Sequence, residues 1–179
     1  MIWVAALFAF FLFYFFAVLQ TSFFAYFNIL GQAPNLVFIL FFIFVFFTNT
    51  KKNYFIKTLI LAFWAGFLLD VFSVMPIGVS IVLLAIPGLA VKRVQILMRE
   101  KENNYPVIQF AVMFVLAYVF YCFGIELCYY FIGLDLFRLE LNYKFILGVI
   151  YNLGIALIIF CLADIFIKPE KPKNKSRFL

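Results

Sequence analysis

Three polar side chains fall inside apolar runs and are the first candidates for chemistry: Asp70, Glu126 and Asn152. A carboxylate or amide surrounded by hydrocarbon is costly, and by default it marks either a functional site or a structural contact. Asp70 precedes the turn sequence Ser73-Val-Met-Pro76-Ile-Gly78, which leads into another apolar run. The backbone N–H groups that open that run as a helix need acceptors, and lipid offers none. A carboxylate can supply them and also complements the positive end of a helix. Asp70 and Ser73 therefore read as caps of a tight corner, with a ligand site as the alternative. Pro76 fixes one φ angle without wasting a donor, and Gly78 is expected to let neighbouring backbone come close. Glu126 shares a helical face with Ala111, Tyr118 and Cys122, a small and polar face expected to point into a bundle. Asn152 lies between Gly148 and Ala156, a spacing that permits close helix contact. Asp70, Glu126 and Asn152 are expected to meet near one end of the bundle, either as a hydrogen-bonded packing cluster or as the wall of a pocket or partner site.

Much other chemistry is excluded. The chain has no histidine. That rules out a Ser-His-Asp triad and a Cys-His pair, and it removes the commonest zinc ligand. Cys122, Cys128 and Cys161 all lie in apolar runs and read as small buried hydrophobes, the first two on different helix faces. Intramembrane aspartyl proteases need two aspartates at one depth, whereas Asp70 is expected near the outer face and Asp164 near the cytoplasmic face, and Gly-x-Gly-Asp is absent. An ion channel or pump would carry more charge inside its spans. No catalytic residue, cofactor site or metal site is expected, and the chain is read as a non-enzyme.

The elements that must position these residues are membrane helices. Hydrophobic residues make up 68% of the 179 and charged residues 12%, against roughly 25% charged in a soluble domain. Mean hydropathy is +1.15. A soluble domain of this size buries only about 70% of what its unfolded chain exposes, so lipid must solvate most of the chain. The 29 phenylalanines read as filler for lipid-facing and core positions. Six apolar stretches are expected to span the bilayer, at about residues 2–27, 34–48, 54–72, 77–91, 107–132 and 145–167, forming one all-α domain over residues 1–167. The links are brief, so consecutive helices must pack antiparallel.

Orientation follows from the cations. Lys51, Lys52, Lys57, Lys92, Arg93, Arg99, Lys101, Lys168, Lys171, Lys173, Lys175 and Arg177 fall on one side if there are six spans, and only Arg138 and Lys144 fall on the other. The positive-inside rule then puts both termini in the cytoplasm of a multi-pass cell-membrane protein. The net charge of +6 is read this way and not as a nucleic-acid footprint. Residues 168–179 form a basic tail expected to be disordered, either a stop-transfer anchor or a docking arm for anionic lipid or a partner.

Two segments resemble a known family. One is Leu19-Gln20-Thr21-Ser22-Phe23; the other is Gly66-Phe-Leu-Leu-Asp70-Val-Phe-Ser73-Val-Met-Pro76-Ile-Gly78-Val. Together they are similar to MreD, the rod-shape-determining membrane protein of bacterial wall elongation, over roughly residues 17–95. The family motif would then comprise Gln20, Ser22, Gly66, Asp70, Ser73, Pro76 and Gly78. The resemblance implies a non-catalytic scaffold that binds the single-span protein MreC and, through it, the actin-like MreB, the glycan polymerase RodA and a penicillin-binding transpeptidase. It also implies a fold similar to the substrate-binding subunits of energy-coupling-factor transporters. That kinship supplies the alternative, a vitamin- or metabolite-binding membrane subunit. In it, the Ala5/Ala9 pair would dock a coupling protein, and Glu126 and Asn152 would lie by a pocket.

Overall fold

The computed structural model describes residues 2–24, 26, 33–48, 53–73, 75–99, 106–131 and 143–167. It is all-helical, with α1 at Ile2–Ser22, α2 at Leu36–Phe47, α3 at Tyr54–Val71, α4 at Val79–Arg99, α5 at Pro106–Phe131 and α6 at Tyr143–Ile167. Helices α3, α4, α5 and α6 each contain a segment long and apolar enough to cross a membrane. The basic tail at 168–179, and most of the links that carry the other cations, lie outside the described residues.

Helix α2 is the axis of the bundle. It touches each of the other five helices. Its 12 residues include no polar side chain, and Leu36 through Ile43 are all buried, whichever way they point. A helix apolar all round belongs inside a protein. At 1.5 Å per residue it is about 18 Å long, well short of the ~30 Å hydrocarbon layer that a span must cross. Both of its ends therefore stop inside the bundle, and their backbone groups must be satisfied by protein.

Packing around α2 is aromatic. Phe38, Phe42 and Phe46 repeat every fourth residue and so stack along one face. Opposite them stand Phe110, Phe114 and Tyr118 of α5 at the same spacing. Phe42 meets Phe110 and Phe114 with ring centroids 5.4 and 5.2 Å apart, and Phe38 meets Tyr118 at 5.2 Å. Phe160 of α6 closes the column on Phe110 at 4.2 Å. Such ring pairs add about 0.5–1.5 kcal/mol each beyond their buried area. These phenylalanines, expected as filler, form an ordered column, although others such as Phe8 and Phe15 do face outward.

Small residues set the other contacts. On α1 the buried face is Ala9, Phe13 and Ala17; the side chain of Ala5 lies outside the described set. A Cβ on Gly66 of α3 would fall 2.5 Å from the backbone of Ile81, so α3 and α4 touch main chain to main chain there. Gly124 of α5 takes the Leu83 side chain in the same way.

The fourth helix differs from expectation. It runs to Arg99, not to 91, and Pro87 and Lys92 lie inside it. Pro87 removes one backbone hydrogen bond, but Gly88 beside it makes room for the Phe41 ring of α2. The first helix ends at Ser22, not 27, and Phe23, Phe24 and Tyr26 continue it only as turns.

Candidate functional site

The corner between α3 and α4 is built on Asp70. Its side chain is buried, and both oxygens accept backbone hydrogen bonds from the start of α4. Oδ2 takes the N–H of Gly78 at 2.6 Å and Oδ1 the N–H of Ser80 at 3.0 Å. Charge-assisted bonds of this kind are stronger than neutral ones. Ser73 braces the turn: its hydroxyl donates to the Asp70 carbonyl and accepts from the N–H of Met75 at 3.2 Å. The Pro76 carbonyl accepts the N–H of Val79. Gly78 does not serve the close approach expected of it: a Cβ there would meet open space. Its φ of +109° is the reason for glycine, because other residues are strained in that conformation. Close approach belongs to Gly66 instead.

At the same end of the bundle, three amide side chains satisfy the sunken N-terminus of α2. Asn35 caps its own helix, its Oδ1 accepting the N–H of Phe38 at 3.0 Å. Asn152 reaches in from α6, its Oδ1 accepting the N–H of Asn35 at 2.7 Å. The Asn152 Nδ2 donates to the Tyr118 hydroxyl at 3.0 Å and to the Gly148 carbonyl at 2.8 Å, so this fully buried amide uses both of its ends. Gln20 of α1 offers Oε1 to the N–H of Val37 at a longer 3.4 Å. Tyr121 of α5 lines one cavity with Asn35 of the α2 cap and Ser73 of the α3–α4 corner, and the buried Ser80 hydroxyl has no hydrogen-bond partner among the described residues.

The other end of α2 has a matching device that sequence reasoning missed. Lys92, expected in a polar link, is a fully buried residue of α4. Its Nζ donates to the carbonyls of Phe46 and Thr48 at 3.2 and 2.7 Å and to Gln95 Oε1 at 2.8 Å. Gln95 Nε2 donates to Phe46 as well. A cation at a helix C-terminus meets both the orphan carbonyls and the negative end of the dipole. The available signal was the i, i+3 pair Lys92/Gln95 directly after an apolar run, beside a helix too short to reach water.

Of the three intramembrane candidates, Asp70 and Asn152 each cap a helix start at the same end of the bundle, and Glu126 caps neither. Glu126 lies eight residues beyond buried Tyr118, about 80° around the helix, at the edge of the face formed by Phe110, Phe114, Ala117, Tyr118 and Tyr121. It is half-buried, and its Oε2 has no hydrogen-bond partner among the described residues. Ser22 likewise takes no part: its hydroxyl bonds the carbonyl of Val18 within its own helix, on an exposed face. Cys122, Cys128 and Cys161 are free thiols. Among the described residues no group of three acidic or cysteine side chains comes together to hold a metal.

The capped end of the bundle holds a cavity of about 170 Å³. Gln20 and Thr21 from the first motif segment, Ser73 and Met75 from the second, Asn35 of the α2 cap, and Tyr121 and Tyr129 of α5 all line it. The two sequence segments that carry the family resemblance thus converge on one place. No family model, curated protein or solved structure matches this chain.

Proposed function

We propose that this chain is a six-span scaffold of the cell membrane, with both termini in the cytoplasm, that works as MreD-like proteins do. It holds a single-span MreC-type partner and, through it, MreB, RodA and a penicillin-binding transpeptidase. The observation that carries this reading is where the buried polar groups go. Asp70, Asn35, Asn152, Gln20 and Lys92 each bind backbone groups at an end of α2 or α4. They fix the relative positions of α1, α2, α3, α4 and α6 and hold these helices in register. A rigid array of this kind suits a protein whose work is to present a constant surface to others. The convergence of both motif segments on the same end supports a shared architectural role for them. The alternative, a metabolite-binding subunit of the energy-coupling-factor type, called for a chamber beside Glu126 and Asn152; the 170 Å³ cavity formed by described residues at that end is lined by neither.

Gentle purification from native membranes followed by native mass spectrometry tests the reading. A co-purifying single-span protein with a coiled coil and an extracytoplasmic domain is the expected result. A stoichiometric small metabolite with no such protein would favour the alternative. Orientation is checked by single cysteines at Asn53 and Lys173 in a chain cleared of its own three: both are expected to react only from the cytoplasmic side.

A further inference from the structure

The cavity at the motif end has a chemistry of its own, independent of the scaffold reading. Its lining mixes apolar Val37, Leu68, Leu69, Met75 and Ile125 with polar Gln20, Asn35, Tyr121 and Tyr129. Two donors in the lining are uncommitted among the described residues. Gln20 uses only its oxygen, on the N–H of Val37, which leaves its Nε2 hydrogens free. The Tyr129 hydroxyl makes no hydrogen bond among the described residues. Next to them the α2 N-terminus adds the positive end of a helix dipole. Among the described residues the lining holds no cation, so an anion would be desolvated there without a counter-charge from them, whereas a neutral acceptor would meet donors.

Size narrows the class further. A cavity of about 150 Å³ accommodates benzene, so 170 Å³ suits a compact molecule or group of comparable size. We propose that this cavity is a binding site for a small uncharged ligand with a carbonyl-type acceptor on one side and hydrocarbon on the other: a lactam, amide or ester group. The acceptor takes hydrogen bonds from Gln20 Nε2 and the Tyr129 hydroxyl, and the hydrocarbon packs on Leu68, Leu69 and Ile125.

The probe is 2-pyrrolidone, a five-membered lactam, with methylcyclopentane as the shape control lacking an acceptor and cyclopentanecarboxylate as the anionic control. Thermal unfolding of the purified full chain in lipid nanodiscs is followed against probe concentration. A saturable rise in Tm with the lactam, absent with both controls, is expected. The variant Tyr129→Phe keeps the volume and removes one donor, and with Gln20→Leu added the apparent Kd should weaken about tenfold, as loss of two ordinary hydrogen bonds implies. If Gln20→Leu compromises folding, Tyr129→Phe alone still serves, with a loss of a few-fold. The proposal is overturned by a non-saturable shift, by equal shifts with lactam and hydrocarbon, by preference for the carboxylate, or by a lactam response that Tyr129→Phe leaves unchanged.

Discussion

Asn152 of α6 holds the backbone N–H of Asn35 at 2.7 Å, a bond that joins positions 117 apart in the chain. It places the start of α2 nine residues along α6, roughly 14 Å below the α6 terminus at helical rise. Replacing Asn152 by Leu removes that acceptor together with the donors to Tyr118 and Gly148. Each orphaned buried group costs about 1–3 kcal/mol. Asn152→Leu should therefore lower stability by about 2–4 kcal/mol, read as an earlier midpoint on titration from mild detergent into SDS. An unchanged midpoint would show that the amide is dispensable.

Asp70 offers a graded test. Asp70→Ala leaves the N–H groups of Gly78 and Ser80 without acceptors, and about 1–3 kcal/mol should be lost. Asp70→Asn keeps one acceptor oxygen and should fall between Ala and the parent. If Asn and Ala are equally damaging, the negative charge and not the pair of hydrogen bonds is what matters.

Lys92→Met retains the length and apolar stem of the side chain but abandons the carbonyls of Phe46 and Thr48. A loss of about 2 kcal/mol is expected, with Lys92→Gln recovering part of it. A gain in stability from Met, as seen when some buried charges are replaced by hydrophobes, would mean that burying the ammonium costs more than its hydrogen bonds return.

The two motif glycines should respond differently. Gly66→Ala drives a methyl into the Ile81 backbone and must part α3 from α4, an overpacking cost of about 1–3 kcal/mol. Gly78→Ala meets no atom within 4 Å, so its cost is the positive φ alone, about 1–2 kcal/mol. Cysteine pairs placed across α3 and α4 would report the helix separation: it should change for Gly66→Ala only.

Glu126→Gln should not lower the isolated chain's stability, since none of the described residues hydrogen-bonds its buried Oε2 and the substitution removes a desolvated charge. A large loss would reveal a partner for the carboxylate in the segments around it.

What was legible in the sequence was the need; what was not was the supplier. A carboxylate ahead of a Pro/Gly turn and an apolar run announces a cap, because the unsatisfied N–H groups lie only 8 and 10 residues away. Asn152 announced itself as a polar group in hydrocarbon, but its acceptor role depends on Asn35 in a distant link, which no local pattern can supply. Lys92 was misread for the same reason. A lysine soon after Pro87-Gly88 looks like the end of a span, and only the depth at which α2 stops explains why it is buried. The ring column was written in the i, i+4 spacing of Phe38, Phe42 and Phe46, yet could not be told apart within so phenylalanine-rich a chain. Glu126 was assigned inward from its neighbours Tyr118 and Cys122: Tyr118 is buried in the ring column, and the Glu126 Oε2 is itself buried but has no hydrogen-bond partner among the described residues.

The sunken position of α2 also bears on how the protein is made. Its end groups are satisfied by residues 92 and 152, which leave the ribosome after it does. Until α4 and α6 are inserted, this segment carries bare amides and carbonyls in surroundings that cannot solvate them. Its final lodging must wait for the later helices, so truncation before Asn152 should leave α2 exposed to membrane quality-control proteases.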